Sequence, residues 1–251
     1  MSFFTNNSKE YFVKSMDNRF DDTLYKRESH NCYSYFLNKI SEDAERNCKD
    51  YDFKKYNLCR RSQPGYYSGF NFLRDKDYTC DEIMLRTKSD NPGMRENIKK
   101  EQSCKPDEYK GAVFVAPGRD YHYYRTDDDG NWTHKPGFKK PTNLDSDGNI
   151  ITDPENASRV YDNGKLKYTD FCGYVCLPRD PKRKNMAYSV DKKKVENNVN
   201  KISLMKVRQA RTKKLHNYLK RRVSNIILKK NQANSKTKKR QNKKGTRKQK
   251  K

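Results

Sequence analysis

Three residues of this chain have the types and spacing to break an acyl bond together: Cys32, near the start of a predicted helix, and His122 and His134, which face each other across a predicted turn. A thiolate attacks an acyl carbon, one imidazole takes the thiol proton and returns it to the leaving group, and a second holds the first in its productive tautomer. Cys32, His122 and His134 are the candidates for these roles, with an amide or ester bond as target. Cys80, near a second predicted helix start, is the rival nucleophile, and Asp145 is the fallback orienting group. The competing view is structural. Cysteine is often fully buried as a small apolar residue, and histidines in a hairpin can simply hydrogen-bond one another.

The elements that must position these residues follow from the pattern. Tyr33, Phe36, Leu37 and Ile40 fall at 0, 3, 4 and 7 and predict one face of a helix, capped by Ser29 or Asn31. Cys32 then lies in the first turn, where free N–H groups and the helix dipole favour a thiolate. Residues 120–124 alternate as a strand, a polar turn ends Asp129-Gly130-Asn131, and Trp132 opens a return strand that Pro136-Gly137 closes. Residues 111–116 form the most apolar run and predict a central strand. Residues 145–151 predict a tight turn and strand, and residues 171–177 a last strand. Cys80, Ile83 and Met84 share the face of a helix capped by Thr79 or Asp77 and broken at Asn91-Pro92. The rest of 41–110 is rich in turn signals.

A helix carrying a cysteine, followed by an antiparallel sheet carrying histidines, resembles the papain-like cysteine hydrolases. Asn31-Cys32-Tyr33-Ser34-Tyr35-Phe36 is similar to the start of their nucleophile helix, and the spacing of His122 and His134 to the base and orienting histidine of the bacterial cell-wall endopeptidase branch. Residues 30–178, with QPGYYSG, DYHYYR, WTHKPG and FCGYVC, resemble an uncharacterised domain of bacteria and large DNA viruses. The resemblance implies an α+β papain-like fold and the Cys-His-His triad. In place of the family's glycine-rich approach stands His30-Asn31, which leaves the oxyanion hole unassigned.

Metal chemistry is weakly marked. Cys172 and Cys176 have the spacing of half a zinc site, but no second pair completes it. Asp127-Asp128-Asp129 and Asp145-Ser146-Asp147-Gly148 lack the closing glutamate of a calcium loop and are turn residues. Neither metal nor cofactor is expected. With no signal peptide or membrane span in view, the seven cysteines are expected to be mostly free thiols in a soluble intracellular protein, with a virion or nuclear address as the variant.

Charge divides the chain. Residues 179–251 hold 28 Lys and Arg against three acids, a net of +25, which is the whole excess of the protein. The expected organisation is an arm (1–28), the α+β domain (29–178), a basic amphipathic helical segment (179–230) and a disordered Lys/Arg-rich tail (231–251). Lys213, Lys214, Lys220, Arg221, Arg222, Lys238, Lys239 and Arg240 are the candidates for binding nucleic acid or another polyanion without sequence preference. A non-enzymatic packaging or virion-type structural protein is the second hypothesis for function.

Overall fold

The computed structural model describes residues 12–189. Five short helices, α1 (Leu24–Ser29), α2 (Cys32–Phe36), α3 (Glu42–Asn47), α4 (Phe53–Tyr56) and α5 (Cys80–Asp90), precede the strands. These are β1 (Arg95–Ile98), β2 (Glu108–Ala116), β3 (Asp120–Thr126), β4 (Trp132–His134), β5 (Val160–Tyr161), β6 (Leu166–Lys167) and β7 (Asp170–Pro178). One antiparallel sheet has the order β1-β7-β2-β3-β4, and β5 and β6 pair separately. The class is α+β, as expected. The run 111–116 is continuous in apolar character because β2 is the middle strand, with both faces covered.

The two faces bury different sets. Val113, Val115, Tyr121, Tyr123, Val175 and Leu177 pack with Tyr33, Phe36 and Leu37 of the α2 segment and Ile83 of α5. Ala112, Phe114, Tyr124, Tyr174 and Cys176 pack with Ile151 and Tyr168 on the other side. Gly111 lets α2 press onto the central strand, since a Cβ there would lie 2.3 Å from Phe36 Cε2. The predicted helix through Ile40 stops early: Asn38 takes a left-handed φ of 48°, which asparagine tolerates better than most residues.

Four expectations are corrected. Of the segment read as an arm, residues 12–28 pack into the domain. Val13 and Phe20 are fully buried, Asp128 accepts a hydrogen bond from Val13 N at 2.7 Å, and Asp17 lies 3.6 Å from the buried Arg125 guanidinium. At the other end the domain runs past Pro178: Lys184 is fully buried and donates to Tyr109 Oη at 3.1 Å, while Asn185 bonds Asn91 and Asp90. The rest of the basic helical segment and the 231–251 tail lie outside the described residues. Residues 145–151 make a turn with an isolated bridge, Leu144 to Ile150, instead of a strand.

Most consequential, six of the seven cysteines are paired, as Cys48–Cys59, Cys80–Cys172 and Cys104–Cys176. Cys172 and Cys176 would share a face in a regular strand. A bulge opposite Val113/Phe114 skips Cys172, so it packs on the α5 side while Cys176 enters the opposite core. Half a zinc site is therefore not formed. Among the described residues, no helix is long and apolar enough to cross a membrane.

Candidate active site

Asn31 builds the start of α2. Its side chain accepts from Ser34 N at 3.2 Å as the N-cap and donates to the Ser62 carbonyl at 2.9 Å, tying the helix start to the 59–65 loop. Cys32 is the next residue, 6% exposed and the one free thiol among the described residues. Its Sγ lies 3.9 Å from the Tyr121 carbonyl of β3. Past Tyr124, β4 no longer covers β3, and the thiol meets the backbone that this short partner leaves open.

The histidines come together on that same strand pair, but on the face opposite α2: the His122 ring packs against Tyr124 and Tyr168, whereas Cys32 packs with Tyr121 and Tyr123. His134 is opposite Tyr124, so His122, two residues earlier, is its diagonal neighbour. His122 Nε2 lies 2.7 Å from His134 Nδ1, and His134 Nε2 lies 2.8 Å from the Leu144 carbonyl. A carbonyl only accepts, so His134 carries its proton on Nε2 and presents a bare Nδ1. His122 must then donate from Nε2, which leaves its Nδ1 as a lone pair. Burial holds both rings neutral: it pushes His134 down to about 4 and His122 well below the ordinary histidine value.

Cys32 and His122 line one cavity of about 170 Å³ with Arg61, Gln63, Asp120 and Tyr168. No hydrogen bond joins Sγ to either imidazole among the described residues. The resting thiol is neutral. Burial, then the Asp120 carboxylate, push it well above the ordinary cysteine value, which corrects the expected thiolate: desolvation outweighs the N-terminus of a five-residue helix. Asp120 itself is raised by burial, and it accepts from Tyr121 N and Tyr168 Oη, both at 2.8 Å.

The alternatives do not enter this arrangement. Cys80 does stand at the start of α5, under the Thr79 cap, but its sulfur is joined to Cys172 and is no nucleophile. Asp145 organises its own turn, accepting from Asp147 N, Asn149 N and Ser158 N at 2.9 to 3.0 Å. The orienting group for the histidine pair is instead the neighbouring carbonyl, Leu144. Lys213, Lys214, Lys220, Arg221, Arg222, Lys238, Lys239 and Arg240 lie outside the described residues. Asp120 could have been noticed beside His122; Arg61, Gln63 and Tyr168 come from irregular segments that carry no periodic signal.

Metal-ligand side chains cluster once among the described residues, at Cys104, Glu108 and Cys176. The two sulfurs are bonded to each other and Arg95 clamps Glu108 at 2.6 to 3.0 Å, so no donor set is free there. A larger cavity of about 550 Å³, lined by Trp132, Tyr174 and Lys110, contains neither thiol nor imidazole. Of its carboxylates, Asp153 pairs with Lys100, Asp128 with Arg179 and Glu108 with Arg95, while Asp127 accepts from Asn131.

No family model matches the chain, and no solved structure matches it. Over 64 residues it is 42% identical to the protein named insoluble matrix shell protein 1, from Ruditapes philippinarum. The match takes in 26% of this chain and spans 39% of that relative's length.

Proposed function

We propose that the α+β domain is a papain-like thiol hydrolase acting on an amide or ester bond, with Cys32 as nucleophile, His122 as general base and acid, and His134 as orienting residue. One observation carries the reading. The hydrogen-bond chain from the Leu144 carbonyl through His134 to His122 dictates a tautomer in which His122 Nδ1 is a base, in a ring that shares a cavity with the single free thiol. In the cycle, the S–H leaves the Tyr121 carbonyl for Nδ1, and sulfur attacks the acyl carbon as the proton passes to the imidazole. The imidazolium then protonates the leaving group, and water, deprotonated by the same nitrogen, releases the acid. The neutral resting pair makes this a proton-transfer mechanism instead of one starting from a stored ion pair. Three disulfides favour an oxidising compartment as the working environment, in place of an intracellular one.

Acyl transfer from p-nitrophenyl acetate tests the reading. The full chain should release nitrophenolate in a burst and carry an acetyl group on Cys32, located by peptide mass spectrometry. His122→Ala should reduce the burst rate at least 100-fold, within the range of about 10² to 10⁴ for general acid–base catalysis. Acetylation spread over lysines, with Cys32 unmodified, contradicts it.

A structural, non-enzymatic role is the second reading, favoured by the printed name of the shell-matrix relative. Under it Cys32 is inert in the same assay. Independently of the domain's chemistry, the +25 charge of residues 179–251 supports polyanion binding by that region.

A further inference from the structure

Arg61 lines the cavity beside Cys32 and has unused hydrogen-bonding capacity. Arg61 donates from Nε to the Glu28 carbonyl at 2.9 Å, and its guanidinium lies 3.6 Å above the Phe138 ring, so the side chain is fixed in place. Its Nη2 is buried and has no hydrogen-bond partner. The nearest carboxylate to that nitrogen, Glu28 Oε2, is 3.6 Å away, an ion pair too long for a hydrogen bond. Asp120 shares the cavity, but Tyr121 N and Tyr168 Oη already occupy one oxygen each. A buried, unsatisfied guanidinium N–H is costly, and arginine cannot shed its charge to relieve the cost.

We propose that Arg61 receives a carboxylate of the substrate, so that the Cys32 site takes acyl compounds carrying a negative charge close to the scissile carbonyl. The inference rests on the thiol hydrolase reading for its consequence, though not for its geometry. About 170 Å³ is well below the several hundred Å³ of a drug-sized pocket, so the space admits one side-chain-sized acidic group. Arginine suits that group because its planar fork matches a carboxylate. Glu28 is then the internal competitor, holding Arg61 in place when the site is empty.

Two alkylating agents of nearly equal size separate this from the catalytic reading: iodoacetate, which carries a carboxylate, and iodoacetamide, which is neutral. With either, sulfur bonds to the methylene carbon, iodide leaves and the thiol proton goes to His122 Nδ1. Rates on Cys32 are followed in the full chain by mass spectrometry. The wild type should prefer iodoacetate, and Arg61→Gln should lower the iodoacetate-to-iodoacetamide rate ratio about tenfold, the effect of one hydrogen bond to a charged group. Arg61→Lys should keep part of the preference, and Glu28→Gln should raise it by freeing the guanidinium. A ratio unchanged by Arg61→Gln overturns the proposal, as does an equal fall with both reagents, which would make Arg61 a thiolate-stabilising group. Should Arg61→Gln fail to fold by circular dichroism, Glu28→Gln decides, and a ratio that stays constant or falls overturns the proposal. The hydrolase reading fails separately, if the iodoacetamide rate does not depend on His122.

Discussion

At the scale of residues, the thiol and the histidine pair of the site are neutral groups held so by burial. His30 follows the same logic as the histidine pair: its Nδ1 donates to the Lys26 carbonyl at 2.9 Å and its Nε2 accepts from Ser41 N at 3.0 Å, so it is locked neutral. Burial pushes both His30 and His134 down to about 4. An unfolded histidine titrates near ~6.5, so the stability tied to each is fully present above that value and lost as pH falls towards 4, on the order of 3 kcal/mol per ring. Asp90, raised to about 6 by burial, and Asp120, raised in the same direction, work oppositely, gaining stability as pH falls, while His122, held well below the ordinary histidine value, adds to the loss. Thermal melts should therefore show Tm falling between about pH 6.5 and 4; a Tm constant across that window contradicts the neutral assignment. The helix start at Cys32 and the pairing of His122 with His134 were legible in the sequence, because both are local patterns. The protonation state of Cys32 was not, since helix position is local while burial depends on Tyr121, Tyr123 and the rest of the sheet.

At the scale of elements, α2 is short and depends on the strand beneath it. Gly111→Ala would drive a methyl group into Phe36, and overpacking of this kind costs about 1 to 3 kcal/mol. Because Phe36 and Cys32 share one short helix, the same substitution should slow Cys32 acylation as well as lower Tm. Denaturant melts alongside the ester assay check both, and an unchanged midpoint would contradict the close approach. Strands β2, β3 and β7 were legible from alternation and from the apolar run at 111–116. What was not legible lies in irregularity. The bulge at Cys172 reverses the side of one cysteine relative to Cys176, and pairing partners such as Cys80 and Cys172 are far apart in sequence. The expectation of free thiols rested on compartment, and compartment is not written in a strand pattern.

At the scale of the whole molecule, the domain and the charge excess meet further along than composition suggested. Lys184 is buried, and Asn185 bonds Asn91 and Asp90, so a cut after Pro178 would remove packed residues. A cut after Asn198, where the first compact unit ends, is the appropriate one. The truncated domain should stay folded and lose DNA and RNA binding, while the full chain binds both. With six to ten phosphates engaged, affinity should fall about 10³ to 10⁵-fold between about 50 and 200 mM salt. Filter binding over a salt series checks this, and binding retained by the truncated domain would assign recognition to the folded surface.

The central claim is that His122 Nδ1 serves as base to the Cys32 thiol, and the pH profile of Cys32 alkylation by iodoacetamide in the full chain tests it most directly. With both partners neutral and the proton passed to the ring, the wild-type rate should be nearly flat from about pH 6 to 8. In His122→Ala only the small thiolate fraction can react, so the rate should be far lower and rise about tenfold per pH unit. Coincident profiles for the two proteins would contradict the claim and leave Cys32 as a buried structural thiol.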